Sequence, residues 1–170
     1  MASPVTSRTA ALSLQLAQAH RELRRRLADV RAALGRRPLP DDDLPTHCLA
    51  FCTALTDHHE GEDSGLFAAL VRERPDLAPT VAKLVEDHGM IGGILARVRE
   101  LAEQAAREAG HPEADLTAIG RELDGLAAIM DSHFGYEERA IGAALDAGAA
   151  DAGDGAWREP VLRLRAPKTP

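Results

Sequence analysis

The chain has 170 residues, 45% of them hydrophobic but only 3% aromatic, with a formal net charge of −7 and a pI near 5.5. That length suits one domain with a sizeable core built from Leu, Ala, Val and Ile, and the acidic balance argues against a nucleic-acid binder, which needs basic surface to neutralise phosphates. No apolar run of roughly 18 residues is present, and MASPVTSRT lacks the apolar stretch of a signal peptide, so the expectation is a cytoplasmic protein with no membrane partner.

β-branched runs with period-two alternation are missing, so the chain reads as all-α, an up-down four-helix bundle. Residues 1–9 are expected to be disordered, 10–147 to form the bundle and 148–170 to form an irregular C-terminal tail. The first helix is predicted from about Thr9 to Leu34 with the stripe Leu16, His20, Leu23, Leu27, Val30, Leu34. Gly35 stops it, with Pro38 and Pro40 beyond. Its arginines, Arg21, Arg24, Arg25, Arg26 and Arg31, followed by Arg36 and Arg37, read as a solvated helix face.

A second helix opens at Pro45 or Thr46 and carries Cys48, Phe51, Cys52, Leu55, His58, Glu62, Leu66 and Leu70. The two cysteines are four apart rather than in a CxxC and read as small core residues. Gly61 and Gly65 bracket Glu62; glycine in a helix interior costs about 0.5–1 kcal/mol relative to Ala, so the pair points to close packing or a local distortion there. The third helix is predicted from Asp76 as N-cap, through Pro79 in its first turn, to near Gly110, with the seam Leu84, His88, Ile91, Leu95, Val98, Leu101. The fourth follows His111 and Pro112 with Leu116, Ile119, Leu123, Leu126, Met130, His133, Glu137, Ile141 and Ala144 at three- and four-residue spacing. From Asp146 the period is lost; Trp157 and Leu162 or Leu164 are candidate anchors of the tail.

Four histidines, His20, His58, His88 and His133, thus fall one on each helix seam, and two have a glutamate at i+4, Glu62 and Glu137. Positions four apart share a helix face, so each His/Glu pair can reach one centre. The segments from His58 to Leu70 and from His133 to Leu145 share H-x3-E-[DE]-x2-[LI]-x2-A-L without a gap. Leu16, His20, Leu23, Leu27 and Val30 align likewise with Leu84, His88, Ile91, Leu95 and Val98, so the chain reads as a helical hairpin used twice. An ionised glutamate in an apolar seam costs several kcal/mol unless it is paired or metal-bound, and no Lys or Arg lies on these stripes. Six donors of mixed N and O type exceed a structural zinc site and fit two six-coordinate ions, with iron or manganese suited to imidazole and carboxylate.

The pattern H…H-x3-E…H…H-x3-E, with E-[ED]-x2-L-F after the second histidine, resembles the hemerythrin-like HHE cation-binding domain of bacterial hemerythrin-like proteins, over about residues 10–147. The resemblance implies two Fe ions with an oxo or hydroxo bridge, held by His20, His58, Glu62, His88, His133 and Glu137, with Glu62 and Glu137 bridging. Oxygen-carrying hemerythrins add a histidine one turn after the helix-three histidine, where this chain has Gly92. One iron is therefore expected to lack a ligand.

Further polar residues surround these. His59 is an alternative ligand to His58, the internal repeat favouring His58. Tyr136 could approach the position left by Gly92, or pack with its hydroxyl partnered. Glu60, Asp63 and Glu138 read as surface groups or as groups that orient ligands, and His47 and His111 as exposed helix-start residues. The implied partner is a small oxidant, O2, H2O2 or NO. Three functions follow: oxygen, redox or iron sensing or defence by a binding protein; a catalase-like or peroxidase-like enzyme, supported by Gly92 and Tyr136; or a structural zinc bundle. A stand-alone sensor would need a separate protein partner, reached through the arginine cluster or the tail.

Overall fold

The computed structural model describes residues 5–35, 44–107, 113–147 and 157–164. Helix α1 runs Val5–Leu34, α2 Leu44–Gly61, α3 Phe67–Glu73, α4 Ala78–Arg107, α5 Glu113–Asp146 and α6 Arg158–Leu162. A π-helical segment, Glu62–Leu66, joins α2 to α3, and a 3-10 turn, Pro75–Leu77, precedes α4. No strand occurs among the described residues, and none of their helices is long and apolar enough to cross a membrane.

The bundle is a square in which α1 neighbours α2 and α5, and α4 neighbours α2 and α5. Two apolar clusters fill it. The first includes Leu23, Leu27, Cys48, Phe51, Cys52, Leu55, Ile91, Leu95, Val98, Ile119, Leu123 and Met130. The second includes Leu12, Leu16, Leu66, Phe67, Leu70, Leu84, Ile141 and Leu145. Along α1 and α4 the chain passes from the second cluster to the first, and from α2 into α3 and along α5 it passes from the first to the second, so the helices alternate up and down.

Several boundaries differ from the sequence expectations. α1 begins at Val5, because no Gly or Pro interrupts Val5–Leu34, so residues 5–9 are helical rather than disordered. It ends where Gly35 N–H donates to the Arg31 carbonyl at 3.1 Å. The second helix is not one regular piece to Leu70: the Phe67 N–H donates to the Glu62 carbonyl, five residues back, which is the widened turn of a π segment. Asp76 does not cap α4. Its carboxylate is held by Arg74 at 2.7 and 2.9 Å within the 3-10 turn, and α4 starts at Ala78. The expected ends at Gly110, His111 and Pro112, with Arg36, Arg37, Pro38 and Pro40, lie outside the described residues.

The tail is not wholly irregular. Trp157, Val161 and Leu162 are buried in the second cluster, and α6 lies against α1 and α2. Five residues are too few to display a helical period, which is why only the anchors of this segment are legible in the sequence.

Arg24, Arg25, Arg26 and Arg31 of α1 are ion-paired at the surface. Arg25 and Arg26 meet Glu22, Arg25 also meets Asp29, and Arg24 and Arg31 reach Asp131 and Asp124 on α5. Water and salt screen such exposed pairs, so the apolar clusters carry the stability.

Leu123 is fully buried in the first cluster. Leu123→Ala should cost about 2–5 kcal/mol in a denaturant titration while leaving metal content unchanged; a loss below about 1 kcal/mol would mean that this cluster is loosely packed.

Candidate metal centre

The two apolar clusters are separated by one polar layer. On α1 it is His20, between Leu16 and Leu23; on α2 it is His58, with Glu62 at the start of the π segment, between Leu55 and Leu66. On α4 it is His88, between Leu84 and Ile91, and on α5 His133 and Glu137, between Met130 and Ile141. Matched depth follows from the alternation of the helices. Each seam meets the layer where it passes from one cluster to the other.

All six expected residues are brought together. His20 and His58 face each other through Nε2 at 3.1 Å, and His88 and His133 do the same at 3.0 Å. Glu62 spans both pairs: Oε1 lies 3.0 Å from His58 Nε2 and 3.8 Å from His20 Nε2, while Oε2 lies 3.4 Å from His88 Nε2. Glu137 Oε2 is 3.5 Å from His20 Nε2 and 3.6 Å from His133 Nε2.

The outward ring nitrogens define the tautomers. His20 Nδ1 donates to Glu138 at 2.8 Å and His88 Nδ1 to Asp63 at 2.7 Å. His133 Nδ1 makes a longer contact with Asp87 at 3.5 Å, and His58 Nδ1 donates to the Val161 carbonyl at 3.0 Å. These partners only accept, so the neutral form of each ring carries its proton on Nδ1 and turns a bare Nε2 lone pair inward. Lone pairs then face lone pairs across about 3 Å, an arrangement that a shared cation resolves.

His59 is the residue that sequence reasoning underweighted. It is buried beside His58, stacks on His88 at 3.9 Å with 10° between the rings, and its Nε2 has no hydrogen-bond partner. Its ligand atom lies with those of His88 and His133 inside 4.8 Å; the same holds for His20, His58 and Glu62, and for Glu62, His88 and Glu137. His58 and His59 thus both bring a ring nitrogen to the layer, in different groups.

Gly92 is exposed, and a Cβ there would meet nothing within 4 Å, whereas the space beside His88 is taken by His59 from α2. Tyr136 is half-buried and packs against the second cluster. Asp63 and Glu138 do orient histidines of the layer, while Glu60 and His47 are exposed. Asp87 and the Val161 carbonyl were not foreseen: neither follows a glutamate of the H-x3-E pattern, as Asp63 and Glu138 do, and a backbone carbonyl carries no residue-type signal.

The electrostatics match a cation site. Burial pushes both carboxyls up; at Glu62 the surrounding histidines, His58 first, override it and hold the group well below the usual range. Glu137 stays well above it, because burial and the charge of Glu62 act together. Burial and the proximity of His88 push His133 down to about 4, and the same causes drive His59 well below the ordinary imidazole value. These two rings are thus neutral donors, the form that metal binding requires. All four carboxylate oxygens of Glu62 and Glu137 are buried without a hydrogen-bond donor. Replacing Glu137 with Gln should abolish tight metal binding yet leave the metal-free bundle no less stable, since burial and Glu62 already hold that carboxyl well above the usual range and favour a neutral side chain there. Metal analysis and thermal melts of the chelator-treated variant check this; full metal retention would show that the residue is not a ligand.

The comparisons with known proteins agree with this geometry. The family model described as hemerythrin HHE cation binding domain matches residues 13–149, which contain every side chain of the polar layer. No curated protein and no solved structure matches the chain. The chain belongs to the hemerythrin HHE cation-binding domain family.

Proposed function

We propose that the chain is a non-heme di-iron protein that binds a small oxidant, O2, H2O2 or NO, at its His/Glu centre, in oxygen, redox or iron sensing or in defence. The observation that carries this reading is the donor set: His20 and His58 at one end, His59, His88 and His133 at the other, and Glu62 and Glu137 between. Nitrogen and carboxylate oxygen without thiolate suit iron better than a closed zinc site. Cys48 and Cys52 lie in the first cluster, and burial pushes their thiols up to about 12 and about 11, so they stay protonated and take no part.

Two iron ions held by these residues, with an oxo or hydroxo bridge, would supply one-electron redox chemistry and an opening for the oxidant. His20, His58, His59, His88, His133, Glu62 and Glu137 would hold the two ions, and the oxidant would bind beside them. The end with fewer imidazoles is that of His20 and His58. Phe134 stacks on His20 at 3.9 Å and 3°, and α6 backs His58, so an apolar wall encloses that end. That enclosure supports the binding reading. Of the features that favoured a catalase-like enzyme, Gly92 is exposed and Tyr136 packs against the second cluster.

Protein as isolated should hold about two iron ions per chain and absorb as an oxo-bridged pair; one zinc without that absorption would overturn the reading. After anaerobic reduction, NO or O2 should saturate at about one equivalent per centre. Rapid peroxide decay with oxygen release and no saturable binding would establish the enzyme instead. His59→Ala should drop the metal content from about two ions towards one, whereas Gly92→His should leave it unchanged. The opposite pattern would move the fifth imidazole back to α4.

A further inference from the structure

Three of the four facing histidines, His20, His88 and His133, are oriented by carboxylates of the bundle, but His58 is oriented by the backbone of α6. The same segment occupies a seat formed by the two glycines around Glu62. A Cβ at Gly61 would lie 2.9 Å from Val161 Cγ2 and 3.0 Å from Pro160 Cγ, and a Cβ at Gly65 would overlap the Trp157 side chain. Both glycines therefore admit α6 and Trp157 against the stretch that carries His58, His59 and Glu62. The docking is incomplete in one respect: Trp157 Nε1 is buried without a hydrogen-bond partner, which weakens the docked state.

We propose that Trp157–Leu162 is a clasp of the metal centre, a positioning element whose docking is thermodynamically linked to metal occupancy. The proposal rests on His58 being a metal ligand, as read above. A cation on Nε2 draws electron density from the imidazole and makes Nδ1–H a stronger donor to the Val161 carbonyl. In return, the docked carbonyl holds the proton on Nδ1 and leaves Nε2 free to bind. Linkage of this kind is reciprocal, so metal tightens the clasp and the clasp tightens the metal.

Trp157 is the only tryptophan in the chain, so its emission reports the clasp directly. The probe is Zn2+, which is redox-silent, titrated into full-length protein stripped with a chelator. Zinc binding should shift the Trp157 emission to the blue and slow amide exchange in 157–164 by about tenfold or more, with exchange in Leu116–Leu126 little changed. Gly65→Leu and Trp157→Ala should weaken zinc binding about 10–100-fold in competition with a chromophoric chelator, whereas Leu123→Ala, in the other cluster, should not. Absence of zinc binding to the parent protein would overturn the metal reading and the clasp with it. Zinc bound with unchanged emission and exchange would overturn the clasp alone. If Gly65→Leu does not fold, the exchange comparison on the parent chain decides by itself.

Discussion

Two carboxylates, Glu62 and Glu137, lie fully buried at the middle of the bundle with no donor to their oxygens. Placing an ion there costs several kcal/mol, and the imidazoles around them have turned their lone pairs, not their protons, inward. Protonating Glu137 relieves part of this and is what burial and Glu62 together favour in the absence of a cation. A cation relieves all of it, compensating both carboxylates and the facing lone pairs together. The apolar clusters on either side keep water from doing the same, so the fold and the metal site answer one electrostatic problem.

The groups that orient the histidines tie the bundle together. Glu138 of α5 holds His20 of α1, Asp87 of α4 holds His133 of α5, and Asp63 of the π segment holds His88 of α4. The Val161 carbonyl of α6 holds His58 of α2. Every contact crosses from one element to another. The circuit joins α1 to α5, α5 to α4 and α4 to the end of α2, and α6, which touches both α1 and α2, lies along the remaining side. The geometry of the site therefore depends on helix packing, and packing on the site.

The helices and the six inward donors were legible because each seam repeats at three and four residues, and the histidines and glutamates interrupt those seams at positions that must lie inside. The glycines around Glu62 also signalled a distortion, which the π segment supplies. Their partner was not legible. Which neighbour fills the space above a glycine depends on where a remote segment returns, and a five-residue helix has no period to announce it. Asp76 misleads for a local reason: Arg74, two residues earlier, competes for its carboxylate and wins. Gly92 draws attention to α4, although that position is exposed and the imidazole that stacks on His88 comes from α2.

The same geometry explains why His59 belongs inside although it sits beside His58. Adjacent helix residues differ by about 100° in direction, so the neighbour of an inward donor faces the next helix rather than solvent whenever both flanks are covered. Asp63 follows Glu62 and serves His88; Asp87 precedes His88 and serves His133; Glu138 follows Glu137 and serves His20. His59 follows His58 and turns in the same way towards His88 and His133, but it carries a ring nitrogen where the others carry carboxylates. A carboxylate at such a position orients a neighbour's imidazole, whereas an imidazole reaching the layer becomes a donor itself. The residue type beside each inward donor thus sets whether the layer gains an orienting carboxylate or another ring nitrogen, and beside His88 and His133 it gains the ring nitrogen.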